Sequence, residues 1–136
     1  MTRLFLIALL LLSSVLPVSG LVLAEDPHYY TCTIVSANML TDKGTLASEW
    51  QQFIGKQFTV DRITGRTLGG PLDNYQLDIQ VIDIGSKEMS FQVIAYSTQL
   101  SHTTHLWIEE FQPRDNKPFV GITTLYYPGV YSGICR

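Results

Sequence analysis

The chain has 136 residues, 46% of them hydrophobic, with nine Lys or Arg against twelve Asp or Glu and a formal net charge of −3. That size buries one core and leaves no room for a second sizeable domain. A mildly acidic chain without a basic run argues against electrostatic capture of nucleic acid, which needs a cationic face.

The first segment has the order of a secretory leader. Arg3 supplies a positive start, residues 4–16 form an apolar run broken only by Ser13 and Ser14, and Pro17 is followed by small residues. The run is shorter than the roughly 20 apolar residues that cross a bilayer. Cleavage is expected after Ala24, which leaves a polar start at Glu25, with Gly20 as the other candidate. Residues 1–24 are thus read as a signal peptide and 25–136 as a single β-rich domain. Removing the leader takes away Arg3 and keeps every carboxylate. No later stretch is long and apolar enough to span a membrane.

Residues 29–36 read as a strand with Tyr30, Cys32 and Ile34 on one face, because side chains alternate. Asp42-Lys43-Gly44 signals a turn. Residues 45–54 read as a short helix. Leu46, Trp50, Phe53 and Ile54 fall on one stripe, Thr45 can cap its start, and Gly55 suits its end. Such a short helix is marginal alone, so its stripe is expected to lie on the sheet, with Trp50 in the core.

Residues 57–61 read as a strand, residues 62–66 as a turn around Thr64-Gly65, and Thr67-Leu68 as a brief return before Gly69-Gly70-Pro71. Residues 75–83 form the clearest strand, with Tyr75, Leu77, Ile79 and Val81 dry. Residues 88–96 follow with Met89, Phe91, Val93 and Ala95 dry. A two-residue turn at Gly85-Ser86 would set Asp78 opposite Val93. Matching the dry faces requires odd numbers opposite odd numbers, and so a loop of three or five residues.

Residues 104–111 and 119–127 read as further strands with apolar groups on both faces. That pattern fits a position beneath the helix or at a contact with another molecule. Residues 113–118 form a polar turn between them. The expected fold is mainly β with one short helix: an antiparallel meander curled into a sheet or small barrel that hides its edges.

Cys32 and Cys135 stand near the two ends of the domain. In an exported protein such a pair is expected to close as a disulfide. The two strands bearing them would then be neighbours.

No nucleophile has its usual context, and neither a phosphate-binding glycine loop nor an H-E-x-x-H helix is present. His102 and His105 lie three apart at the start of a strand, where they point to opposite sides, and His28 is remote. They read as solvated loop histidines, so no metal and no cofactor are expected. Asp73, Asp78, Asp83, Glu109 and Glu110 read as wet-face or turn carboxylates rather than a general acid and base.

The segment at residues 58–66 is the most distinctive. It reads as a hairpin in which Phe58 and Val60 pack inward, Asp61 accepts backbone N–H bonds and Gly65 takes positive φ. An exposed Arg62 and Arg66 pair gripping a carboxylate or phosphate is the functional alternative. This F-T-V-D-R-x-T-G segment, the following Gly69-Gly70-Pro71-Leu72-Asp73-Asn74 and the final Gly133-Ile134-Cys135 resemble small exported bacterial proteins of unknown function. The resemblance implies an extracytoplasmic β-rich domain and supplies no activity or site residues.

The reading that fits best is a non-catalytic periplasmic or secreted protein that binds a protein or small ligand. Trp107, Tyr126, Tyr127 and Tyr131 are candidate anchors beside Arg62 and Arg66. The rivals are an accessory or structural subunit of an envelope assembly, and a small hydrolase or metal-dependent enzyme.

Overall fold

The computed structural model describes residues 28–48, 50–111, 115–124 and 128–136. The leader, residues 113 and 114 of the polar turn, and Tyr126 and Tyr127 lie outside the described residues. No helix of the described residues is long and apolar enough to cross a membrane.

Strand β1 covers Tyr29–Leu40 and carries the expected alternation, with Tyr30, Cys32 and Ile34 buried. Val35 is the extra residue of a bulge, and inward packing resumes at Ala37. The remaining strands are β2 (Leu46–Ala47), β3 (Gln57–Asp61), β4 (Thr67–Leu68), β5 (Asp78–Ile84), β6 (Phe91–Ser97), β7 (His102–Ile108), β8 (Lys117–Thr123) and β9 (Gly129–Cys135). All ladders are antiparallel. The order β4-β3-β1-β9-β8-β7-β6-β5 forms one curled half-barrel sheet, with β2 paired to β1. The mainly β, antiparallel, curled architecture read from the sequence is therefore the observed one.

The short helix at residues 45–54 is absent. Thr41 and Thr45 instead close a tight turn, with the Thr41 N–H donating to Thr45 O at 2.8 Å and Gly44 at φ +74°. Leu46 and Ala47 then pair with Leu40 and Met39. A helix of about ten residues must meet its nucleation cost unaided, whereas a hairpin adds bonds to a strand already in place. Leu46 and Ile54 stay exposed. Trp50 and Phe53 still reach the core, because the 3-10 turn Gln51–Phe53 stacks them on Tyr131 at ring distances of 5.7 and 5.8 Å.

Two strand starts also differ from the sequence reading. Tyr75 precedes β5, because the Asp73 carboxylate accepts its N–H at 2.9 Å and Leu77 N–H donates to Asn74 O. Met89 is exposed in the β5–β6 loop, where Ser86 Oγ accepts the N–H groups of Glu88 and Met89. The dry faces pair odd with odd, Ile79 opposite Ala95 and Val81 opposite Val93. A bulge at Ile82 then shifts the register, so the loop spans residues 85–90 instead of an odd number. Farther on, β7 runs from His102 to Ile108, and Glu109 and Glu110 fall in the turn. Among the described residues no helix covers the outer sides of β7 and β8.

The curl is visible in contacts between strands that are not neighbours. Phe58 on β3 meets Phe119 on β8 edge-on at 5.2 Å, and Tyr30 on β1 meets Phe91 on β6 at 5.6 Å. Leu72, from the turn Gly70–Leu72, drops into the interior against Gly121, where a Cβ would lie 2.3 Å from its Cδ1. The β3–β4 turn meets the far end of the sheet. Asp61 Oδ1 accepts the N–H groups of Ile63 and Thr64 at 2.8 and 3.1 Å. Gly65 adopts φ +72° with Val93, Ile79 and Val81 packed against it. The inward Phe58 and Val60, the Asp61 bonds and the positive φ of Gly65 all match the hairpin read from the sequence.

Cys32 and Cys135 form a disulfide across directly opposed positions of β1 and β9. Thr31 and Arg136 next to them exchange both backbone bonds at 2.9 Å. The cysteines therefore occupy the non-hydrogen-bonded kind of pair, where side chains stand closest. Such bonds persist in oxidising compartments.

Two outcomes follow from this packing. Replacing both cysteines by serine, which are 103 residues apart, is expected to lower the unfolding free energy by up to about 4.7 kcal/mol; denaturant titration of the oxidised protein and the variant measures it. Gly65→Ala is expected to cost about 2–5 kcal/mol from positive-φ strain and overpacking. An unchanged denaturation midpoint would show that the turn does not close the curl.

Candidate functional site

The residues singled out in the sequence separate into an interior group and an outer group. Arg62 follows Phe58 and Val60 on the inward parity and is 8% exposed. Its Nε and Nη2 donate to Ile84 O at 3.3 and 3.1 Å, and Nη2 also reaches Gly85 O at 3.3 Å. Its guanidinium lies 5.4 Å from the Tyr30 ring centre and 3.9 Å from Glu110 Oε1. Glu110 also accepts the Tyr30 hydroxyl at 2.6 Å and faces Lys117 Nζ at 3.5 Å. An exposed Arg62 and Arg66 clamp therefore does not form. Arg66 is exposed with its guanidinium 5.3 Å from the Tyr75 ring centre, while Arg62 ties the β3–β4 turn to the end of β5.

The Glu110 carboxylate, which reads as a solvated turn residue, is the hub of this tie. Its oxygens face a phenol and two cations, so its chemistry is already committed to holding the fold. The tie spans 80 residues between Tyr30 and Glu110, and no local pattern announces such a pairing.

The histidines do point to opposite sides of β7, but they are not solvated loop groups. His102 faces inward, is 6% exposed, and its Nε2 lies 3.0 Å from Thr123 Oγ1. Burial lowers its pKa below the ordinary 6.5. His105 faces outward between Ile94 and Ile122, with Nε2 enclosed and unpartnered. His28 is exposed in the chain before β1. Among the described residues no group of three His, Cys, Asp or Glu could hold a metal ion.

Of the late aromatics, the two within the described residues part company. Tyr131 is fully buried, because the inward positions of β9 are Gly129, Tyr131, Gly133 and Cys135. Burial pushes its hydroxyl pKa up to about 12. It is core, not an interface anchor. Trp107 is different: it stands on the outer face of β7, 43% exposed.

Around Trp107 the outer face is apolar. Trp107 lies opposite Val120, which is 39% exposed, and Ile122 beside His105 is 45% exposed. Val130 and Ile134 on β9 and Pro118 on β8 extend this sector. A shallow hollow of about 250 Å³ runs between Trp107, Glu109, Pro118 and Val120. Beyond β9 the outer positions are mixed, with Ser36 opposite Ser132, Asn38 opposite Val130, and Thr31, Thr33, Gln57 and Thr59 across β1 and β3, interrupted by exposed Tyr29, Val35 and Leu40. The sector around Trp107 is thus an exposed apolar surface, a feature that marks interaction sites. The free edge at β5 is a poorer candidate, since Asp78, Asp83 and the bulge at Ile82 are features that discourage strand addition.

The inward histidine predicts a pH dependence. Its folded-state pKa is below that of the unfolded chain, so its contribution to stability is complete above about pH 6.5 and is lost as the pH falls through the lowered value. The thermal midpoint should therefore drop as the pH falls below about 6.5. His102→Gln should flatten that part of the curve, and an unaltered slope in the variant would assign the effect elsewhere.

No family model matches this chain, and no curated protein or solved structure is significantly similar to it.

Proposed function

We propose that this chain is an exported, non-catalytic binding protein that takes a protein partner on the outer face of β7 and β8. The observation that carries the reading is the adjacent exposed set Trp107, Val120 and Ile122 on neighbouring strands of the outer face. Strands with apolar groups on both faces need a second layer, and the chain's own described residues supply it only on the concave side. Aromatic side chains at the centre of such a surface are frequent energetic anchors. Extended strands also hold these groups with little backbone freedom, so ordering them on binding costs little.

Export is supported by the order of charge, apolar run and small residues in the first 24 positions and by the closed Cys32–Cys135 bond. A catalytic role draws no support from the interior, where Glu110 and His102 are engaged in contacts that hold the fold.

The test is a pull-down from the native envelope fraction with the oxidised protein, expressed with its leader and recovered from the exported fraction. Protein starting at Glu25 is expected to retain a partner, and Trp107→Ser to weaken that capture by about tenfold or more. The variant's thermal midpoint should be unchanged, because Trp107 is exposed. Capture that is indifferent to Trp107→Ser and to Ile122→Asp overturns the assignment of this face.

A further inference from the structure

The inward side chains of β6, β7 and β8 form layers that change character along the sheet. One layer holds Phe91, Ile108 and Phe119, and the next Val93, Leu106 and Gly121. Then come Ala95, Thr104 and Thr123, and finally Ser97 beside His102. Side chains become smaller and more polar towards the β6–β7 turn. Thr104, Thr123 and His102 are all buried there. Thr67 and Asn74 are buried as well, and Asn74 accepts the Thr67 N–H at 2.8 Å and donates to Gly65 O at 2.9 Å. An apolar filling of the same positions would stabilise the core more, since buried polar groups add little even when hydrogen-bonded.

His102, at this polar end, also lines an open cleft of about 340 Å³ whose other walls are the largely exposed Leu68, Asp73, Tyr75, Gln76, Leu77 and Leu100. The volume falls within the range of small-molecule sites. Tyr75 is 64% exposed, and the Arg66 guanidinium lies against its ring. Apolar surface from Tyr75 and the leucines thus stands beside an amide, a carboxylate and an imidazole.

We propose that this cleft binds a neutral saccharide, with the ring's C–H face on Tyr75 and its hydroxyls on Gln76, Asp73 and the His102 end. The lining offers both donors and acceptors, as a polyol needs: Gln76 and the Tyr75 hydroxyl can do either, and Asp73 accepts. A purely apolar ligand would displace water from these groups without replacing its hydrogen bonds. With Asp73 in the lining and Arg66 against Tyr75, charges of both signs border the cleft, so neither an anion nor a cation meets a field of purely opposite sign. The Asp73 oxygens accept the N–H groups of Gly69 and Tyr75 at 3.0 and 2.9 Å, which fixes the carboxylate while leaving it lone pairs for a hydroxyl. This site is separate from the outer face around Trp107 and does not depend on it.

Titration of the oxidised full-length domain with methyl β-glucoside, N-acetylglucosamine and cellobiose, followed by amide NMR shifts, tests the proposal. At least one of these should shift the amides of Tyr75, Gln76, Leu100 and His102 at concentrations up to about 50 mM, the millimolar regime expected for a weak single-site ligand. Tyr75→Ala should weaken that binding about tenfold with an unchanged thermal midpoint, and Trp107→Ser should leave it intact. Glucose 6-phosphate and glucosamine are the charged controls. No shifts with any of the neutral sugars, shifts centred on Trp107, or tighter binding of a charged control would each overturn it.

Discussion

The ladder between β1 and β9 is the interaction on which the rest of the structure rests. The amino-terminal strands β1 to β4 and the meander β5 to β9 share this one ladder among the described residues. The other links between them include packing, with Phe58 on Phe119, Tyr30 on Phe91 and Gly65 on the β5–β6 hairpin, and the polar tie of Arg62 and Tyr30 to Glu110 and the carbonyls of Ile84 and Gly85. Those contacts need the two halves already aligned. Pairing also places the cysteines opposite each other, so the covalent bond records a register that hydrogen bonds have chosen.

A curled sheet of this kind has two unlike surfaces, and the chain uses them differently. Its concave side is graded, from aromatic layers at the Arg62–Glu110 tie to threonines at the opposite end. The convex side is divided by sector, apolar over β7 and β8 and hydroxyl-rich over β1 and β3. Neither division is required for the sheet to form. Uniform Val and Ile inside and uniform polar groups outside would satisfy the same period-2 pattern. The departures from uniformity are where a functional reading has purchase.

Much of the fold was legible because its causes are local. Alternation at Tyr30, Cys32 and Ile34 marks a strand with one dry face, and the demand that dry faces meet requires odd positions opposite odd ones, the parity seen at Ile79 and Ala95. Asp61 and Gly65 declare their turn through hydrogen-bonding reach and the absence of a Cβ. What was illegible depended on partners distant in sequence. The stripe of Leu46, Trp50, Phe53 and Ile54 has helical spacing, yet β1 offers residue 46 a ladder that spacing cannot reveal. Arg62 looked like a surface cation because nothing near it in sequence shows the carbonyls of Ile84 and Gly85 that receive it. Trp107 stands out as a candidate from its type and place, whereas the cleft at Tyr75 and His102 has no local signal, since three separate segments build it.

Placing the first strand beside the last has a bearing on how the molecule is made. During synthesis the cysteine of β1 emerges 103 residues before its partner on β9. The high sequence separation of the contacts in this ladder makes folding intrinsically slow. Until β9 is made, the side of β1 that will receive it is an open row of backbone donors and acceptors, the kind of edge on which another chain can add a strand.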